Sequence, residues 1–195
     1  MLVIGALLVL WPLLLAIALW IKLDSRGPVF FRQTRAGRQG QPFSIFKFRT
    51  MVVDAEKSGY FTAAGDARVT RAGRFLRATS LDELPQLFNI LKGEMSIVGP
   101  RPTLPYQVEQ YTPYQRRRLE MPPGVTGWAQ INGRDEMPPD VKSRYDAEYV
   151  KRMSFKFDLY IMVRTLIYVL SGKGIVEGKH KDGAGADKAA GSGNP

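Results

Sequence analysis

Two neighbouring carboxylates, Asp82 and Glu83, stand in Ser80-Leu81-Asp82-Glu83-Leu84-Pro85, with arginines before them at 68, 71, 74 and 77 and the stiff segment Gly99-Pro100-Arg101-Pro102 after them. Ser80 followed by Glu83 has the spacing of a capping box, which predicts a helix that starts at Ser80 and carries both acids in its first turn. Acids at such a place can do no more than offset the helix dipole. Set among arginines, the same helix start can also hold a phosphate. Paired carboxylates then have a use: one can attack an electrophilic phosphorus and become a mixed anhydride, while the other holds a divalent cation that neutralises phosphate oxygens. Mg²⁺ suits oxygen ligands and bound phosphates, and Mn²⁺ can substitute. Lys47 and Arg101 are candidates for stabilising charge on a bridging or leaving phosphate, or equally for contacts to lipid headgroups.

Composition removes most other chemistry. The 195 residues include no Cys and a single His, His180, in a Gly/Ala/Lys tail, which excludes thiolate nucleophiles, Cys-ligated zinc and His-based triads. Lys and Arg number 28 against 18 Asp and Glu, a formal net charge of +10 that calls for an anionic partner. With 45% apolar residues the chain has the material for a folded core.

The elements that must position these residues begin with a membrane segment, Met1 to Ile21, apolar except for Gly5 and Pro12. A straight helix of that length would just cross a hydrocarbon core of about 30 Å. Proline inside the helix could instead split it into two arms of about 15 Å each, which enter and leave on one side as a re-entrant hairpin. The flank from Lys22 to Arg49 carries seven Lys or Arg and one acid, Asp24, which puts it on the cytoplasmic side. Val29 to Phe31 and Phe43 to Phe48 read as a hairpin across a turn-rich Gly37 to Pro42. The arginines at 68, 71, 74 and 77 share one helix face, a headgroup-facing surface or a phosphate clamp. Leu84, Leu87, Phe88 and Leu91 have the spacing of a core-facing helix that stops at Gly93. Met95 to Val98 and Trp128 to Ile131 read as short strands, and Pro105 to Glu120 and Pro139 to Met153 as helices. Phe155 to Leu170 is an interfacial or a core helix, and the Gly/Ala/Lys segment beyond it reads as disordered.

Six motifs, in order, carry a resemblance: Lys22-Leu23-Asp24-Ser25, Pro28-Val29-Phe30-Phe31-Arg32-Gln33, Phe46-Lys47-Phe48-Arg49-Thr50-Met51, Ser80 to Asn89, Val98-Gly99-Pro100-Arg101-Pro102, and Pro123 to Arg134. Together they resemble the bacterial sugar transferases, the monotopic polyprenyl-phosphate phosphoglycosyl transferases. The resemblance implies transfer of a sugar 1-phosphate from a UDP-sugar to undecaprenyl phosphate with release of UMP, the first membrane step in building a glycan. It maps the family's aspartate nucleophile onto Asp82 and its magnesium-linked glutamate onto Glu83, so that both acids are metal candidates. Lys47 falls on the family's catalytic lysine and Arg101 on its nucleotide-phosphate arginine. Arg49, Gln130 and Arg134, inside matching motifs, and Arg77 in the basic run are further substrate-binding candidates. The family's membrane element is a re-entrant helix broken at a Ser-Pro pair, and this chain has Trp11-Pro12 in its place. Family members usually carry basic residues before the apolar run, whereas here Met1 enters it directly.

The expected fold is therefore α+β: a re-entrant membrane helix at 1–21, bent near Pro12, a small mixed helix/strand domain with interfacial amphipathic helices at 22–174, and a disordered tail at 175–195. The expected place is the inner membrane, with catalysis on its cytoplasmic face. Partners are a UDP-sugar, undecaprenyl phosphate and anionic phospholipid, with a second copy of the chain left open. The competing reading is a membrane-tethered basic module that binds RNA or anionic lipid without catalysis. Aromatics that sit in apolar patterns, not interleaved with Lys and Arg, argue against nucleic acid.

Overall fold

A computed structural model describes residues 2–59, 65–133 and 137–171. The tail predicted at 175–195 lies outside them. Helix α1 (Leu2–Asp24) runs 23 residues without interruption through Pro12. It is long and apolar enough to cross a membrane. Its C-terminal part is the part that packs: Ile17 and Ile21 are buried with Phe48 and Leu76, and Leu14 and Ala18 lie against them. Leu8, Val9, Trp11 and Leu15 are open, an apolar surface that water does not tolerate.

The hairpin is formed as the sequence predicts. Strand β1 (Phe30–Ala36) pairs antiparallel with β2 (Pro42–Phe48), Phe31 opposite Lys47 and Arg35 opposite Phe43. Alternation along the strands puts Phe31, Gln33 and Arg35 on one face with Phe43, Ile45 and Lys47. Phe48 points the other way, into the cluster beneath α1.

Helix α2 (Arg71–Thr79) is capped by Thr70, whose hydroxyl accepts the Gly73 N–H at 2.9 Å. Asp24, the last residue of α1, accepts the Ala72 N–H at 3.0 Å and ties the two helices together. Arg68 therefore precedes α2 and lies off the helix face assigned to it from spacing; it pairs with Asp66 at 2.6 Å instead. The helix start predicted at Ser80 does not form. Ser80 has φ 59° and ψ 15°, donates its N–H back to Arg77 and ends α2. An N-cap needs extended backbone. Without one there is no capping box, and Asp82 and Glu83 occupy a single 3₁₀ turn, Leu81–Glu83, ahead of α3 (Gln86–Leu91).

Helix α3 departs from the predicted core-facing stripe at Phe88 and Leu91. Asn89 is 0% exposed and Gln86 2%, whereas Phe88 and Leu91 are 40% and 47% exposed. The reason lies along β2. Asn89 accepts the Phe46 N–H at 3.0 Å and donates to Ser44 O at 2.7 Å, taking the place of a third strand. An amide so bonded costs little to bury, and it leaves Phe88 and Leu91 turned outward, while Leu84 packs against the cluster beneath α1 as predicted. Helix α1 packs against both α2 and α3.

Strand β3 (Ser96–Val98) pairs parallel with β4 (Gly124–Thr126). Between them lie α4 (Pro105–Glu109), α5 (Pro113–Arg116) and a 3₁₀ turn, Arg117–Glu120. The single helix predicted over Pro105 to Glu120 is divided because Thr112 caps a new start at Pro113, which cannot continue a preceding helix. The strand predicted at Trp128 to Ile131 is a helix, α6 (Trp128–Asn132), and the strand lies upstream. Glycine decides its place: a Cβ on Gly124 would lie 2.1 Å from Gly99 N. Helices α7 (Pro139–Arg152) and α8 (Phe155–Leu170) occupy their predicted ranges. A second core joins Val98, Ile131, Tyr149 and Ile161. Helix α8 adds to that core through Ile161, with Phe157 and Met162 packed against it, while its Phe155, Leu159, Val163, Leu166, Ile167 and Leu170 are exposed.

The contact between α2 and the strand-end backbone is equally intolerant of side chains. A Cβ on Gly73 would lie 1.9 Å from Thr50 O, whereas Gly5 has nothing within 4 Å. Gly73→Ala is expected to lower stability by about 3 kcal/mol or more, read as a fall in the thermal unfolding midpoint in detergent. Gly5→Ala should leave the midpoint unchanged, and equal behaviour of the two variants would contradict this packing.

Candidate active site

Glu83 is the centre of an ionic cluster drawn from three parts of the chain. Lys47 Nζ, from β2, donates to Glu83 Oε1 at 2.7 Å, and Arg101 Nη2, from the loop after β3, donates to the same oxygen at 3.1 Å. Burial works to raise the Glu83 pKa, but the charges and hydrogen bonds of Lys47 and Arg101 overcome it and hold the carboxyl well below the usual range. Glu83 is thus ionised.

Asp82 differs although it is the next residue. Among the described residues no donor bonds to its carboxylate. Burial raises its pKa to about 6, with Glu83 adding to the rise and Lys47, Arg101 and Arg77 opposing it. Two adjacent acids are therefore driven apart, one locked as an anion by partners and one left desolvated and unmasked. An unmasked carboxylate beside cations is able to attack an electron-poor phosphorus.

Further cations complete the surroundings. Arg77, at the end of α2, acts on Asp82 through its charge, and its Nη1 is buried without a hydrogen-bond partner. Arg35, absent from the sequence-derived candidates except as part of the basic flank, belongs to the same cluster. Its pKa is lowered to about 10, first by burial and then by the charge of Arg101, with Tyr106 and Glu83 acting the other way. Strand alternation was the available signal, since it puts Arg35 on the face of Lys47. Lys47, Arg35, Arg77 and Arg101 against Asp82 and Glu83 leave a surplus of two positive charges, the complement of a diphosphate.

The other candidates are placed differently. Arg49 is buried and donates to Ser25 O at 2.8 Å, to Ser25 Oγ at 2.9 Å and to Arg26 O, fastening β2 to the end of α1. Its guanidinium is spent on that joint and is not turned to the acidic pair. Gln130 lies in α6, where Nε2 donates to Val125 O at 3.0 Å and Oε1 is buried without a partner. Arg134 lies outside the described residues. No group of three or more His, Cys, Asp or Glu side chains suited to a metal occurs among the described residues. Two carboxylates do fit Mg²⁺, which takes one or two from protein and completes its shell with phosphate oxygens and water.

The chain matches the bacterial sugar transferase family over residues 1–172. It belongs to that family. A UDP-glucose:undecaprenyl-phosphate glucose-1-phosphate transferase of Xanthomonas campestris pv. campestris is 45% identical over 86% of this chain and 37% of its own length. A UDP-N-acetylgalactosamine-undecaprenyl-phosphate N-acetylgalactosaminephosphotransferase of Aeromonas hydrophila is 42% identical over 84% of this chain and 40% of its own. The chain thus spans well under half of these two relatives. It covers 84% of an uncharacterized sugar transferase, EpsL, of Bacillus subtilis (strain 168), at 44% identity over 89% of this chain.

In this chain Lys47 is the largest charge drawing the Asp82 pKa down. Lys47→Met is therefore expected to move the Asp82 titration upward from about 6, as followed by carboxyl ¹³C NMR. A downward move would contradict the assignment of the cluster.

Proposed function

We propose that the chain transfers a sugar 1-phosphate from a UDP-sugar to undecaprenyl phosphate at a membrane surface. The observation that carries this reading is the division of labour between the adjacent acids, Glu83 bound by two cations and Asp82 unbonded among them. An Asp82 oxygen attacks the β-phosphorus of the UDP-sugar, and the bond from that phosphorus to the bridging oxygen breaks. UMP leaves with the electron pair, and the sugar phosphate remains as an acyl phosphate on Asp82. A phosphate oxygen of the polyprenyl acceptor then attacks the same phosphorus, which frees the Asp82 carboxylate and yields the lipid diphospho-sugar. Lys47, Arg77 and Arg101 hold the diphosphate and offset charge on departing UMP. Mg²⁺, held by Glu83 and Asp82, would supply neutralisation of the phosphate oxygens. Family membership disfavours the non-catalytic basic module.

The sugar differs among the relatives, glucose in one name and N-acetylgalactosamine in another. UMP release from a panel of UDP-sugars, with undecaprenyl phosphate and Mg²⁺, therefore tests both reaction and donor. Asp82→Asn is expected to reduce turnover by at least about 10³-fold, Glu83→Gln to cost far more than the exposed Arg71→Gln, and excess chelator to stop release. Activity should rise with pH through about 6 as Asp82 ionises. Turnover by Asp82→Asn, or in chelator, would overturn the reading.

Membrane placement follows from where the substrates are. A polyprenyl phosphate keeps its charge at the interface while a UDP-sugar stays in water, so the site must lie at headgroup level. The outward Phe88 and Leu91 of α3, just after the acidic turn, the exposed stripe of α8 and the Trp20–Phe75 ring contact at 5.4 Å supply apolar surface suited to a membrane interface. Basic residues of the 22–49 flank add about 1 kcal/mol each near anionic lipid. In this proposal α1 enters and leaves on the cytoplasmic face, bent near Pro12. Its unbroken 23 residues, about 34 Å long, favour a second topology, a straight span. The native chain has no cysteine to interfere with labelling. A cysteine near Met1 should react with reagent on the cytoplasmic side alone, and periplasmic labelling would establish the span.

A further inference from the structure

Arg101 is flanked by Pro100 and Pro102, and four successive carbonyls of its loop are bonded. Pro100 O accepts the Gly124 N–H at 2.9 Å, and Thr103 O accepts the Ala36 N–H at 2.8 Å. Between these backbone partners, side chains take over: Arg118 Nη2 donates to Arg101 O at 3.0 Å, and Arg35 Nη1 donates to Pro102 O at 3.3 Å. The bond to Arg101 O fixes the peptide plane that leads into Pro102. Proline already confines the residue before it to extended backbone, and this bond holds the plane in one orientation within that range, steadying the backbone from which the Arg101 side chain departs.

Arg118 is itself held. It lies in the turn Arg117–Glu120, where Nη1 donates to the Tyr111 hydroxyl at 3.0 Å and Nη2 lies 2.9 Å from Asp146 Oδ2 of α7. The side chains of Arg118 and Asp146 are 10% and 2% exposed. The contact is an ion pair off the hydrogen-bond direction, since neither Asp146 oxygen gains a hydrogen bond from it. A buried ion pair of this kind gives little stability that an apolar pair of equal volume would not. Its use must be sought in what Arg118 touches, and that is the backbone of the residue whose guanidinium meets Glu83.

We propose that Arg118, anchored by Asp146 of α7, is a positioning residue for Arg101, setting the reach of the Arg101 guanidinium to Glu83 and so to the phosphates of a nucleoside diphosphate. The inference rests on the reading of Arg101 as a diphosphate ligand. Neither member of the pair touches the substrate in this account. Their effect passes through one backbone carbonyl.

Calorimetric binding of UDP to the full chain in detergent tests this without requiring turnover, so that a failure of the transferase reading remains distinguishable. Arg118→Met alone would leave Asp146 buried without its partner, so the pair replacement Arg118→Met with Asp146→Leu is the main variant and its thermal midpoint the check on folding. The pair variant is expected to keep its midpoint and weaken UDP binding on the order of tenfold, as loosened positioning shells do. Arg101→Met should weaken it at least as much. Combined with Arg101→Met, the pair replacement should cost nothing further, which is the mark of action through one residue. Unchanged UDP affinity in the pair variant, an undiminished loss on top of Arg101→Met, a loss where Arg101→Met has none, or a pair variant that unfolds would each overturn the inference.

Discussion

A carboxylate withdrawn from water needs counter-charge, and Glu83 receives it at one oxygen from two directions. Lys47 comes from the hairpin and Arg101 from the loop after β3, and neither is near Glu83 in sequence. Removing either cation would leave the carboxylate leaning on the other alone, so neither segment can move away without weakening the counter-charge. The three segments are thereby held in one relation. Asp82, one residue away, gains its character from the same arrangement, because the cations that lock Glu83 also surround it without bonding it.

The rest of the fold delivers those segments. Asn89 closes the open edge of β2 and so fixes α3, and the acidic turn ahead of it, to the strand that carries Lys47. Arg49 and Asp24 join that strand and α2 to the end of the membrane helix. The two-stranded parallel sheet, brought close by Gly99 and Gly124, sets the origin of the Arg101 loop. A small domain without an extended sheet can hold a precise site in this way because its polar side chains replace missing strand partners.

Much of this was legible in the residues, and the misreadings have particular causes. Alternating apolar runs around a Gly-rich turn announced the hairpin, and long apolar or well-bounded segments announced α7 and α8. Asp82, Glu83, Lys47 and Arg101 were marked by type and by motif, and the structure gathers all four. Ser80 misled because a cap signal describes side-chain capacity, while the left-handed backbone that ends α2 decides its use. The stripe at 84–91 misled because the inward face of α3 is claimed by Asn89, which bonds the edge of β2 and turns Phe88 and Leu91 outward while Leu84 keeps its place against the core. Arg118 escaped notice because its role depends on contacts across the fold that spacing does not encode, whereas Arg35 could have been found from the alternation that sets it on the face of Lys47.

The central claim is that Asp82 is unmasked in order to form a covalent bond. Incubating the protein with a UDP-sugar and no lipid acceptor, quenching, and mapping the modified peptide by mass spectrometry tests it most directly. The account predicts a sugar-phosphate adduct on the peptide containing Asp82, discharged when undecaprenyl phosphate is added. An adduct on another residue, or full turnover with no adduct at any time point, would contradict it.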